Sequence, residues 1–215
     1  MAQAVIAVRG GPDAKSRCAE ALSGPDRAGL TAAMLEDMLD AIARCPEVSQ
    51  TWVVTPTPEL ADLAQRCGAR AITQGEPEGV NAAFRQAIAE VSECAPYDAM
   101  LLMPGDLPLL QPDELTAAAL LLRTHAVVMA PALDRGTGLL GLRAGAVLPP
   151  AFGADSFKRH SAAVGKRGLP VAILATSSLS RDVDRPEDLQ GVLDQGPATK
   201  TAAFLRGRLQ PRISS

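Results

Sequence analysis

Apolar positions along the chain fall into two kinds of run, and the two kinds alternate. Ala4 to Val8 is a short aliphatic run of strand length, closed by the polar loop Arg9-Gly10-Gly11-Pro12. Leu30, Met34, Leu35, Met38, Leu39 and Ile42 recur at helical spacing, which predicts a long amphipathic helix entered at Ser23-Gly24-Pro25-Asp26 and ending near Cys45-Pro46. Thr51 to Thr55 reads as a second strand, Glu59 to Cys67 as a helix ended by Gly68, and Ala69 to Thr73 as a third strand. A helix opened by Asn81 leads to the apolar strand Met100 to Met103. Further on come a helix over Glu114 to Thr124, strands at Ala126 to Ala130 and Leu139 to Leu142, and a helix from Ser156 to Gly168. A strand at Val171 to Leu174 and a helix started by Pro186 follow. Strands and helices alternating through short connections predict one α/β domain around a mostly parallel sheet. That domain is expected over residues 1–195, with a C-terminal helix (about Thr199 to Arg208) and tail over 196–215.

One of these strands ends in chemistry. Met100 to Met103 has no polar face, as in a strand buried on both sides, and Pro104-Gly105 breaks it just before Asp106. An acid at the carboxyl end of a central strand lies where open α/β sheets bind ligands. The plainer alternative is a turn or helix-cap aspartate.

Charge and composition narrow the partners. A formal charge of −3 gives no general attraction to polyanions, so a phosphate-bearing ligand must be held locally. Aromatic residues make up only 3%, too few for a stacking surface for single-stranded nucleic acid. No run approaches the roughly 18 apolar residues of a membrane span, and MAQAVIAV lacks the basic start of an export signal. Cys18, Cys45, Cys67 and Cys94 form no CxxC pair and read as reduced thiols, so a cytoplasmic location is expected.

Two further segments supply candidate partners for Asp106. In the loop after the first strand, Gly10 and Gly11 would let backbone N–H groups approach a phosphate, with Lys15 and Arg17 to neutralise it. GGPDAKS is a near-miss for a P-loop: it lacks the Gly before the Lys, and Arg9 stands where the first Gly should be. Near the C-terminus, Asp182 and Asp184 share one face of any extended segment. With Asp106 they offer three carboxylates for Mg²⁺, which favours carboxylate plus phosphate oxygen. DRPEDL is also a capped helix entrance, and one acid can cap while the other binds.

In order, the chain carries AKSR (14–17), VVTP (53–56), GVNAA (79–83), PGDLPLL (104–110), DRGTG (134–138), FGADSFKRH (152–160) and DVDRPEDL (182–189). This series resembles the CofC/FbiD family, guanylyltransferases acting on 2-phospholactate, phosphoenolpyruvate or 3-phosphoglycerate in synthesis of the deazaflavin redox coenzyme. PGDLP alone fits many nucleotidyltransferases; FGxxSFxRH followed by DVDxPEDL is more discriminating. The resemblance implies a GT-A-like (Rossmann-like) nucleotidyltransferase fold, GTP over the N-terminal loop, and Mg²⁺ on Asp106, Asp182 and Asp184. It implies nucleotide contacts from Arg9, Gly10, Lys15, Arg17, Thr55, Gly79, Asn81 and Asp106, with Lys15 beside the reacting phosphates. It places the acceptor acid on Thr137, Gly138, Gly153 and Ser156, with His160 in a structural or acceptor-contact role. Leu139 and Leu140 stand where the family's glycine motif commonly turns polar, so they are expected to alter the acceptor side. The family sometimes pairs as a homodimer. Two other readings remain at this point: a related nucleotidyltransferase with a sugar-phosphate or molybdopterin acceptor, and a non-catalytic nucleotide-binding homologue.

Overall fold

The computed structural model describes residues 1–11, 13–75 and 78–209. Its centre is a seven-stranded sheet in the order β3-β2-β1-β4-β6-β5-β7. The strands are β1 (Ala2–Ala7), β2 (Val48–Thr55), β3 (Arg70–Thr73), β4 (Ala99–Pro104), β5 (Val127–Pro131), β6 (Thr137–Leu142) and β7 (Val171–Ile173). All neighbouring pairs are parallel except those of β6, which runs antiparallel to both β4 and β5. The expected mostly parallel sheet is therefore present, with one reversed strand inside it.

Helices cover both faces: α1 (Gly24–Ala43), α2 (Pro58–Arg66), α3 (Val80–Cys94), α4 (Pro112–Leu121), α5 (Ser156–Arg167), α6 (Pro186–Gln195) and α7 (Lys200–Arg206). Alternate strand residues divide the core in two. Ile6, Val53, Leu101 and Met103 pack with α1, α2 and α4, while Val5, Val54, Leu102 and Leu140 pack with α3 and α5. Leu101, Leu102 and Met103 are fully buried, and each such side chain stabilises the fold by roughly 1.5–3 kcal/mol relative to exposure. A one-residue slip of β4 would exchange its two faces, so this burial fixes where Asp106 emerges.

A third cluster joins the outer side of α1 to α6 and α7 through Leu30, Met34, Leu189, Val192, Ala202 and Leu205. Asp37 of α1 anchors α7 by accepting hydrogen bonds from the Lys200 and Thr201 amides, each at 2.8 Å, and from the Thr201 hydroxyl at 2.6 Å. The tail from 210 lies outside the described residues. Among those residues, no helix is long and apolar enough to cross a membrane.

Candidate active site

Asp106 leaves the carboxyl end of β4 beside the loop that follows β1. Gly105 permits this: its backbone N–H donates to the Ala7 carbonyl at 2.9 Å, and a Cβ there would meet Val8 Cβ at 2.5 Å. Lys15 comes from the β1 loop, where it takes a left-handed backbone (φ 50°) before a short 3₁₀ turn at Ser16–Cys18. Its ammonium lies 2.6 Å from Asp106 Oδ2 and 3.9 Å from Asp184 Oδ1. Arg17 pairs with the other oxygen of Asp184.

Burial alone would push the Lys15 pKa down. The charge and hydrogen bond of Asp106, with Asp184 and Asp182 behind it, outweigh that and raise it, so Lys15 is a fixed cation. Asp182 is pushed up to about 6, first by burial and then by the charges of Asp106 and Asp134. Asp106 and Asp184 are thus paired with Lys15 and Arg17, and Asp182 lies within electrostatic reach of Asp106 and Lys15. Asp106 Oδ1 is also buried without a hydrogen-bond partner, an arrangement that ordinarily costs on the order of 1–3 kcal/mol. Among the described residues, no three His, Cys, Asp or Glu side chains converge at metal-ligand spacing. Lys15 stands between Asp106 and Asp184 instead. What the site offers a hard cation such as Mg²⁺ is carboxylate oxygen, among it the unmet, buried Asp106 Oδ1.

The two late aspartates are free of helix capping. The Asp184 and Arg185 amides donate to Asp188 Oδ2 at 2.9 and 2.7 Å, so Asp188 caps α6. The Val183 amide donates to the Asp106 carbonyl at 3.0 Å and ties the segment to the end of β4.

The remaining expected contacts divide. Arg9 is exposed and, with Gly79, lines a cavity of about 80 Å³ at the carboxyl ends of β1 and β2. The cavity walls are mostly aliphatic (Val8, Val54, Val80), and Gln74 is a polar lining residue that motif reading passed over. Gly10 borders the same region, its amide donating to Thr57 Oγ1 at 3.1 Å. Thr55 is buried, and its hydroxyl accepts the Thr57 amide at 3.1 Å, shaping this wall from inside. Asn81 neither caps α3 nor faces this cavity as one of its lining residues. Its carboxamide accepts the Phe152 amide at 2.7 Å and donates to the Phe152 carbonyl at 3.0 Å, a clamp between α3 and the loop before α5.

On the acceptor side, Thr137 and Ser156 are buried, and their hydroxyls join an internal chain. His160 Nε2 accepts the Ala151 amide at 2.9 Å, so the proton of the neutral ring is on Nδ1, which lies 3.0 Å from Thr137 Oγ1. Ser156 donates to the same oxygen at 3.0 Å. Burial, with the Arg159 charge, lowers the His160 pKa to about 4. His160 is therefore a neutral strut rather than an acid–base group, in line with the structural half of the expectation. Ser156 is the first residue of α5, and Asp155 (φ 52°) holds the cap position without a side-chain hydrogen bond. Gly153 lies in the exposed turn before it (φ 110°). At Gly138 a Cβ would come within 1.7 Å of the Leu179 carbonyl oxygen, so the absent side chain admits neighbouring backbone. Leu139 and Leu140 do not line the acceptor side as expected: they are fully buried on opposite faces of β6 and belong to the two cores.

The chain is similar to known proteins along nearly its whole length. A family model described as "Guanylyl transferase CofC like" matches residues 2–212. A 3-phospho-D-glycerate guanylyltransferase of Phenylobacterium zucineum is 48% identical, over 99% of this chain and 98% of its own. A phosphoenolpyruvate guanylyltransferase of Sphaerobacter thermophilus is 34% identical, over 90% and 93%. Among solved structures, a nucleotide-diphospho-sugar transferase candidate from Desulfovibrio desulfuricans shares the fold with a TM-score of 0.79 at 20% identity, covering 96% of this chain and 94% of its own.

Proposed function

The chain belongs to the CofC-like guanylyl transferase family, and from that premise we propose that it transfers GMP from GTP to the phosphate of 3-phospho-D-glycerate, releasing pyrophosphate. The observation that carries the chemistry is the Lys15–Asp106–Asp184 constellation at the mouth of β4, with the unmet Asp106 oxygen inside it. The choice of acceptor rests on the full-length likeness to the Phenylobacterium zucineum protein, whose name specifies that acid. Phosphoenolpyruvate is the second reading, since several relatives at 34–38% identity carry that name.

In this reading Asp106, Asp182 and Asp184 would hold Mg²⁺, which would supply charge neutralisation of the triphosphate and the departing pyrophosphate. The nucleoside end of GTP would rest against the open rim of the cavity bordered by Arg9 and Gly79. Lys15 and Arg17 draw the phosphates toward β4. An oxygen of the acceptor phosphate then attacks the α-phosphorus of GTP. The bond from that phosphorus to the β-bridging oxygen breaks, and the electron pair leaves with pyrophosphate. A phosphate oxygen is already anionic at neutral pH, so no side chain need remove a proton. The site contributes orientation and electrostatic stabilisation. The His160–Thr137–Ser156 chain holds the entrance of α5 in place for the acceptor. The reduced cysteines and the small soluble substrates together favour a cytoplasmic location.

The test is pyrophosphate release with Mg²⁺, each nucleoside triphosphate, and a panel of 3-phospho-D-glycerate, phosphoenolpyruvate, 2-phospholactate and a sugar phosphate. Release that requires GTP and is fastest with 3-phospho-D-glycerate is expected. Release only with the sugar phosphate, or none with any acceptor, overturns the proposal.

A further inference from the structure

Asp182 and Asp184 sit on a segment, 174–184, that has no helix or strand of its own. Two acids that the proposed function uses together with Asp106 are thus carried by irregular backbone, and something else must set its course. Several attachments do so. The Leu174 amide donates to the Met129 carbonyl at 2.9 Å, and the Leu133 amide donates to the Ser180 carbonyl at 2.9 Å. Leu179 is fully buried, with its carbonyl in the space that Gly138 leaves open. Between these lies a polar latch to α4. The Ser178 hydroxyl donates to Glu114 Oε2, the Ser178 amide reaches Glu114 Oε1 at 3.4 Å, and the same hydroxyl accepts the Gln111 amide at 3.3 Å. Ser178 is buried and Glu114 half-buried, so the latch is partly shielded from water.

We infer that Glu114 and Ser178 are positioning residues: their latch to the first turn of α4 sets the 174–184 segment so that Asp182 and Asp184 face Asp106 and can share a divalent cation with it. The inference rests on the proposed nucleotidyl transfer only for its activity readout. Its physical content is geometric. After Ser178 the chain has six residues in which to reach Asp184, and Leu179 and Val183 are both buried along the way. With the latch closed, the Val183 amide meets the Asp106 carbonyl. With it open, the irregular segment can slide, and outer contacts of this kind typically alter metal affinity or activity by about 10–100-fold.

The experiment compares Ser178→Ala, Glu114→Ala and Glu114→Gln with the wild-type protein. Mn²⁺ binding to the protein alone is measured by calorimetry, together with kcat and KM for GTP and the melting temperature. Ser178→Ala and Glu114→Ala are expected to weaken Mn²⁺ binding and lower kcat by about tenfold or more, with KM for GTP changed less than about twofold. Glu114→Gln keeps an acceptor oxygen for the Ser178 hydroxyl and is expected to recover most of both. A merely structural role would lower the melting temperature and leave Mn²⁺ affinity and kcat alone. That result, or equal losses in Gln and Ala variants, overturns the inference. Should Glu114→Ala fail to fold, Ser178→Ala, which removes one oxygen, carries the same readouts. A wild-type protein that binds Mn²⁺ but releases no pyrophosphate with any acceptor overturns the proposed function. The latch is still judged in that case by whether Ser178→Ala weakens Mn²⁺ binding. Full turnover and Mn²⁺ binding in both alanine variants overturn the latch and leave the function standing.

Discussion

Asp106 combines two roles that are separable by mutation. Its Oδ2 neutralises Lys15, and its Oδ1 is buried without a partner. Asp106→Ala removes the unmet oxygen, so little fold stability is lost through that atom, but the Lys15 ammonium is left without its nearest counter-charge. Turnover is expected to drop by at least about 10²-fold, as when a group aimed at developing charge is removed. Circular dichroism should still show a folded protein. Wild-type-like pyrophosphate release from this variant would sink the assignment of Asp106 to the reaction. Lys15→Ala is expected to act differently. It leaves Asp106 and Asp184 without the cation between them, and under the proposed function, in which Lys15 draws the phosphates, KM for GTP should rise along with the loss of kcat. A change in kcat alone, measured over a full GTP titration, would count against Lys15 as a phosphate contact.

At the scale of elements, α6 shows how a helix entrance frees the acids before it. Asp188 accepts from two amides at the start of α6. Asp188→Ala is expected to cost about 1 kcal/mol, as for lost N-terminal caps, and to lower the melting temperature by roughly 2–4 °C for a domain of this size. Because one of those amides belongs to Asp184, activity should fall further than the stability loss alone predicts. Equal activity at equal folded fraction would show that the cap does not hold Asp184. Legibility divides along the same lines. Periodicity of 3.6 and 2 located the helices and strands, and the break at Pro104-Gly105 marked the strand end where Asp106 emerges. Lys15, Asp106 and Asp184 were legible because each stands in a polar or breaking segment next to an apolar run. The parts that were not legible depend on partners distant in sequence. Asn81 looks like a cap because caps are local, whereas its partner Phe152 is 71 positions away. Glu114 and Ser178 lie 64 positions apart in unremarkable polar surroundings. Leu139 and Leu140, read from a glycine motif, were core residues because a reversed strand there places alternate side chains in both cores.

For the whole molecule, the buried His160 chain links β6, α5 and the loop held by Asn81, so its protonation state is felt in global stability. The sign follows from the lowered pKa. The folded state holds the ring neutral to about 4, whereas an unfolded histidine titrates near 6.5. Stability from this site is full above pH 6.5 and is lost as pH falls from 6.5 toward 4, by at most on the order of 3 kcal/mol. Melting temperatures recorded across that interval should decline more steeply for the wild-type protein than for His160→Gln, which cannot take up the proton. Parallel declines in the two proteins would remove His160 as the cause.

The reversed strand also bears on how the chain assembles in time. β5 and β6 are joined by residues 132–136 and pair antiparallel from Val127↔Leu142 to Ala130↔Leu139, so they can zip up as a local hairpin. β1 and β4, in contrast, pair only across about a hundred residues of intervening chain, from Ala2↔Ala99 onward. Loop-closure entropy delays such distant parallel pairings relative to local ones. The hairpin is therefore expected to acquire protection from hydrogen exchange first during refolding and to dock afterwards, as a preformed unit, along the free edge of β4. Pulse labelling that found the β1 and β4 amides protected before those of β5 and β6 would reverse this order.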